Sequence, residues 1–204
     1  MPPGERLNTL THLAGTVLAL GASVPLLTRA TERGGGALAS AAVYALSLLL
    51  MYGCSSLYHG SAGRLRELVQ RLDHISIYLL IAGSYTPFCV LLLSGREAWL
   101  LLTAVWTLAL FGVLQELRTH RGARVLSLCV YLAMGWSALS MLGPLREGLG
   151  RAGFAWLVGG GLAYTFGVVF YVLDKRLRHA HGIWHVFVLL GSTAHFIAIY
   201  RYVL

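Results

Sequence analysis

The sequence predicts an all-α, polytopic membrane protein: one seven-transmembrane-helix bundle over residues 1–204, with its amino terminus in the cytoplasm. Three observations carry this. Apolar residues make up 57% of the 204 and charged residues only 12%, about half the usual quarter, too few to cover a soluble domain of this size. Mean hydropathy is +0.69, which marks lipid as the main solvent. The chain also divides into seven mainly apolar stretches of the roughly 20-residue length that crosses a membrane as a helix.

The first stretch covers residues 7–28. Asn8 and His12 interrupt it, and Glu5 stands beside Arg6 ahead of it, which argues against a cleaved signal peptide. The second, 38–59, follows the breaker Gly34-Gly35-Gly36. The third, 72–93, contains Ser84-Tyr85-Thr86-Pro87. Proline removes a backbone bond and kinks the helix, with the Ser84 and Thr86 hydroxyls able to occupy freed carbonyls. The fourth, 98–117, begins after Ser94-Gly95, and the fifth, 125–143, stops at Gly143-Pro144. The sixth, 154–173, follows Gly148 and carries Gly159-Gly160-Gly161, which permits close helix approach or bending. The seventh covers 182–203. Trp99, Trp136 and Trp156 suit interface belts or core packing. Cys54, Cys89 and Cys129 lie inside apolar stretches, cannot all pair, and read as reduced.

Lysine and arginine in the loops set orientation. On the amino-terminal side fall Arg6, Arg64, Arg66, Arg71, Arg118, Arg121, Arg124, Lys175, Arg176 and Arg178, against Arg29, Arg33, Arg96, Arg146, Arg151 and Arg201 opposite. The bias favours a cytoplasmic amino terminus. The net charge of +8 comes without a basic run or aromatic platform, which excludes nucleic acid as the natural partner. Scattered arginines in short loops fit anionic lipid headgroups.

Ionisable residues at membrane depth are costly and mark function. Of the eight histidines, His12, His59, His74, His120, His179, His181 and His185 fall at the cytoplasmic ends of the stretches or in cytoplasmic loops. They come from separate parts of the chain. Four constellations meet at that level: Glu5, Asn8 and His12 on one face of the first helix; Ser55 and His59 four apart; Asp73 with His74 opening the third; His181 and His185 one turn apart on the seventh. Two imidazoles at i and i+4 lie about 6 Å apart along the axis and can share a cation. His59 completes a three-histidine site with one open position, the pattern of catalytic zinc, whose water can reach a pKa of about 7. Asp73 would orient or deprotonate that water, with Ser55 holding Asp73 or the water.

Each group also has a plainer reading. Ser55 can bond back to its i−4 carbonyl, and Glu5 and Asn8 can cap the first helix. His12 reads as a buried hydrogen-bond partner rather than a ligand. His74, His120 and His179 read as interface residues. His195, some 21 Å beyond His181 along the helix, is too deep to reach the same ion and would line a cavity with Ser192 or bond a neighbouring helix.

These motifs, E-x-x-N-x-x-x-H (Glu5, Asn8, His12), S-x-x-x-H with the following Asp (Ser55, His59, Asp73) and H-x-x-x-H (His181, His185), resemble the progestin and adipoQ receptor superfamily. The segments D-H-I-S-I-Y-L-L-I-A-G-S-Y-T-P-F and G-I-W-H-V-F-V-L-L-G-S-T-A-H-F are similar to its bacterial branch, the hemolysin III proteins. The likeness covers nearly the whole chain, without the long amino-terminal region of the animal receptors. It implies a multi-pass protein of the bacterial inner membrane, with a cytoplasmic-side Zn2+ held by His59, His181 and His185 and supported by Ser55 and Asp73. Animal members resemble lipid-amide hydrolases of the ceramidase type, and the bacterial branch is named for haemolysis and linked to membrane lipid homeostasis.

Three functions follow as expectations. The first is a zinc-dependent hydrolase of a lipid amide or ester bond, with Asp73 as base and then proton donor. The second is a cytolysin or channel, for which the helices lack charged rings or a continuous polar stripe. The third is a sensor in which lipid or metal occupancy shifts helix packing without catalysis. Fold analogy alone decides none of them.

Overall fold

The structure, a computed structural model, describes residues 4–118 and 124–204; His120 and Arg121 lie outside that range. Every element among the described residues is helical. In chain order they are α1 (Arg6–Glu32), α2 (Gly35–Gly60), α3 (Gly63–Pro87) continued by a π turn (Phe88–Leu92), and α4 (Gly95–Arg118). After these come α5 (Arg124–Trp136), a 3-10 turn (Ser137–Met141), α6 (Leu142–Val172), and α7 (Ala180–Ala198), which ends in a second π turn (Ile199–Val203).

The apolar composition is explained by an outward-facing hydrophobic surface. Leu18, Val24 and Phe166 are each more than half exposed, while Tyr44, Tyr78 and Met134 are buried. Such large exposed apolar side chains belong against hydrocarbon. Six helical segments among the described residues are long and apolar enough to cross a membrane, and the protein is a multi-pass membrane protein. Small residues at contact faces, such as Ala30, Ala37, Ala41 and Ala45, let backbones approach where no hydrophobic force joins helices. α2 packs between α1 and α3, α4 against α3, and α7 against α6 and α1.

One crossing segment runs for 48 residues, Val125–Val172. As a straight helix it would be about 72 Å long, more than twice the hydrocarbon core. It is broken twice, at the 3-10 turn and at Gly150, whose φ of 63° and ψ of 179° are not helical. The boundaries differ from those the sequence predicts, a crossing to residue 143 and a connection through Gly143-Pro144 and Gly148. Here α5 ends at Trp136, and Gly143, Pro144 and Gly148 are helical. Proline fits the first turn of a helix, where its missing N–H has no partner in any case, so Gly143-Pro144 opens α6 instead of marking a loop.

What ends α5 is a side chain from α3. The carbonyls of Met134 and Gly135, 2.8 Å each from the Tyr85 hydroxyl, share its single proton, and the hydroxyl accepts from the Ala138 N–H at 2.9 Å. Those carbonyls lie in the last turn, which has no intrahelical donors of its own. Near Pro87, Ser84 and Thr86 donate to the carbonyls of Ile81 and Ala82.

Candidate metal centre

Three helix ends and a loop build the site: the start of α1, the end of α2, the start of α7, and the loop between α6 and α7. The ligand atoms of His59, His181 and His185 all lie within 4.8 Å of one another. Their ring centroids are 4.8–5.0 Å apart. Nitrogens sharing a tetrahedral zinc at about 2.05 Å would be about 3.3 Å apart, so shifts of about an ångström close the cluster on an ion. His59 and His185 are buried.

The outer nitrogens are the informative part. His59 Nδ1 is 2.7 Å from Glu5 Oε2. His185 Nδ1 is 3.2 Å from the Asn8 carbonyl and 3.1 Å from Thr11 Oγ1, and Thr11 gives its own proton to helix carbonyls. His181 Nδ1 is 3.4 Å from Asp174 Oδ2, long for a hydrogen bond but within orienting reach. Carboxylates and carbonyls only accept, so these partners hold a proton on Nδ1 and leave the Nε2 lone pair for a ligand. Nε2 of His59 and of His185 are buried with no hydrogen-bond partner in the protein. Buried polar atoms are seldom left so. Carboxylate-histidine pairs are the usual outer shell of bound zinc, and the donor set fits a divalent cation.

Glu5 occupies the position before α1 but makes no side-chain cap, so its capping reading is corrected. Its Oε1 accepts from Arg66 at 2.6 Å, and its Oε2 also accepts from Asn8 at 2.7 Å. Burial raises its pKa, but bonds from Asn8, Arg66 and His59 outweigh this and lower it to about 2. The Glu5 carboxylate is therefore anionic throughout the physiological range.

Ser55 and Asp73 are both buried, and their side chains are close enough to interact. Asp73 lines an apolar cavity of about 210 Å³, larger than the roughly 150 Å³ of an engineered cavity that takes benzene. The lining also includes Trp136, Leu139 and Leu142, which are part-exposed on the lipid-facing surface. The cavity thus extends from the aspartate to the outside of the bundle at the α5–α6 turn.

Several expectations need correction. His12 is buried, but neither ring nitrogen has a hydrogen-bond partner. It stacks on His185 instead, centroids 3.6 Å apart and planes at 12°, with its edge set against Tyr52. His74 is not merely interfacial: its Nδ1 is 3.4 Å from Glu116 Oε2, and Ser127 donates to Glu116 Oε1 at 2.7 Å. His179 is exposed at the start of α7 in a left-handed conformation. His195 lies deep, as expected, with Nε2 3.2 Å from the Leu157 carbonyl. The three cysteines are free. The sequence reading missed Asp174, Thr11, Arg66 as a partner of Glu5, and the buried Glu116.

Comparison with known proteins gives the family. A family model described as haemolysin-III related matches residues 3–196. The chain is 38% identical to Hemolysin-3 of Bacillus cereus over 203 residues, which covers 98% of this chain and 92% of that protein. It is 38% identical to the Hemolysin-3 homolog of Bacillus subtilis (97% and 93% covered). It is also 30% identical to the human monocyte to macrophage differentiation factor over 166 residues, 78% of this chain and 68% of the human protein. With a matching model over nearly its whole length and Bacillus relatives at 38% identity, the chain belongs to the haemolysin-III-related family.

Proposed function

We propose that the protein is a zinc-dependent hydrolase of an amide or ester bond in a membrane lipid. It would cross the membrane seven times, the 48-residue segment Val125–Val172 counting as two crossings, with the amino terminus and the histidine cluster on the cytoplasmic side. The excess of arginine and lysine in the loops on that side supports the orientation.

The observation that carries the reading is a division of labour among buried polar groups. Glu5, Asn8 and Asp174 are spent on orienting imidazoles, whereas Asp73 orients none of them, has buried Ser55 beside it and lines an apolar cavity. A divalent cation supplies Lewis acidity towards a carbonyl and makes a water more acidic. His59, His181 and His185 would hold it through Nε2. Asp73 would take the proton from the attacking water and return it to the leaving amine or alcohol. Ser55 would fix the Asp73 carboxylate so that one oxygen stays aimed at that water. The apolar cavity would take the acyl chain, entered sideways from the bilayer, and its walls exclude bulk water from the bond being cut.

The test is fatty-acid release from a panel of N-acyl and O-acyl lipids by zinc-loaded protein. Asp73→Asn should keep its metal and lose turnover by about 10²–10⁴-fold, the usual contribution of a general acid–base. Protein that holds zinc but cleaves nothing in the panel would refute the proposal. A lipid-dependent change in helix packing surviving in Asp73→Asn would favour a sensor. Liposome leakage surviving His181→Ala would favour a cytolysin, as the name of the Bacillus cereus relative suggests.

A further inference from the structure

The large cavity has a second polar wall, far from Asp73 and outside the metal centre. It is made by Tyr164 and Thr165 of α6 and His195 of α7. His195 lies ten residues beyond His185, about 15 Å along α7, or half the roughly 30 Å hydrocarbon core. A polar group at that depth needs a partner or a purpose.

The proton inventory of this wall is one-sided. Ser192 Oγ donates to the Val188 carbonyl at 2.9 Å, so its single proton is committed. Tyr52 donates to Ser192 Oγ at 2.8 Å, and the Tyr164 hydroxyl shares a hydrogen bond with the same oxygen at 2.9 Å. Tyr44 donates to the Ser192 carbonyl and Thr165 to the Gly161 carbonyl. His195 Nε2 faces the Leu157 carbonyl, an acceptor only, so Nε2 carries the proton and neutral Nδ1 is left as an acceptor. Nδ1 is buried and has no partner. Gly160 fixes this orientation, because a Cβ there would run into the Cδ2–Nε2 edge of the His195 ring. The His195 Nδ1 lone pair is the acceptor of this wall left without a donor. The complement of such a wall is a hydrogen-bond donor carried on an otherwise apolar molecule.

We propose that His195 is a specificity-determining residue that accepts a hydrogen bond from a hydroxyl in the distal half of an acyl chain, so that the preferred lipid is a mid-chain hydroxylated one. This rests on the reading of the cavity as an acyl-chain site. A saturated chain leaves Nδ1 unpartnered. A chain with a hydroxyl at that depth would supply the donor this nitrogen lacks.

The test is competition of octadecanoate and 12-hydroxyoctadecanoate against a fluorescent fatty acid, using zinc-loaded protein in nanodiscs. Wild type should prefer the hydroxylated chain by about five- to tenfold, the scale of one net hydrogen bond. His195→Phe should lose the preference while still binding octadecanoate, and His195→Gln, which keeps an acceptor, should retain part of it. Equal binding of the two acids by wild type overturns the hydroxyl proposal alone, as does a preference that persists in His195→Phe. If neither acid binds wild type, the acyl-chain reading of the cavity falls, and this proposal with it.

Discussion

Replacing Glu5 by glutamine tests the outer shell of the metal centre at its best-defined point. The carboxylate accepts from three donors: His59 Nδ1 and Asn8 Nδ2 on Oε2, each at 2.7 Å, and Arg66 Nη2 on Oε1 at 2.6 Å. An amide has one accepting oxygen, and no orientation satisfies all three. With the oxygen towards His59, the NH2 group faces a guanidinium that can only donate. With the amide flipped, the NH2 faces His59 and draws the imidazole proton to Nε2, removing the lone pair a metal needs. Loss of an outer-shell partner costs about 10–100-fold in metal affinity, or about 1.4–2.7 kcal/mol. Zinc affinity of purified Glu5→Gln, measured against a chromogenic chelator with helicity followed by circular dichroism, should fall by that amount. Arg66→Gln leaves the Glu5–His59 bond in place and should fall less. Unchanged affinity in Glu5→Gln, with the fold intact, would refute the assignment of Glu5 as the group that orients His59.

Other expectations follow from the packing and the proton inventory. Gly160→Ala drives a methyl into the His195 ring and should lower stability by about 1–3 kcal/mol. Gly159→Ala and Gly161→Ala, where a Cβ meets nothing within 4 Å, should be neutral or gain up to about 1 kcal/mol; equal thermal shifts in all three would contradict the close approach of α6 and α7. Ser192→Ala removes the partner of the Tyr164 hydroxyl and the nearer of two acceptors of Tyr52, a loss of about 1–3 kcal/mol read as a drop in unfolding temperature with metal content unchanged. Metal retention should fall on acidification, because each imidazole must bind unprotonated; an ion kept until the helices unfold in acid would speak against histidine ligands.

The crossings could be read from the sequence because a run of apolar residues long enough to span a bilayer needs no tertiary information. The α5–α6 break could not, since it depends on Tyr85 of α3 reaching across to the carbonyls of Met134 and Gly135. That contact links residues some fifty positions apart, and Gly143-Pro144 carries opposite meanings in a loop and in a first helical turn. His59, His181 and His185 stood out through residue type at a shared depth, which polar residues in apolar runs advertise. Asp174 did not, because an acid in a loop reads as solvated until α7 brings His181 to it. Glu116 was hidden for a related reason: two residues from Arg118 at a helix end it reads as exposed, yet Ser127 and His74 close over it. The stacking of His12 on His185 has no sequence signature, because ring overlap between α1 and α7 depends on helix rotation rather than on residue spacing.

Metal content per chain, by elemental analysis of wild type beside His59→Ala at matched helicity, bears most directly on the whole account. One tightly held divalent ion per wild-type chain, absent from the variant, is the predicted result. Wild type without stoichiometric metal after purification with zinc present, or a variant that keeps its ion, would contradict it.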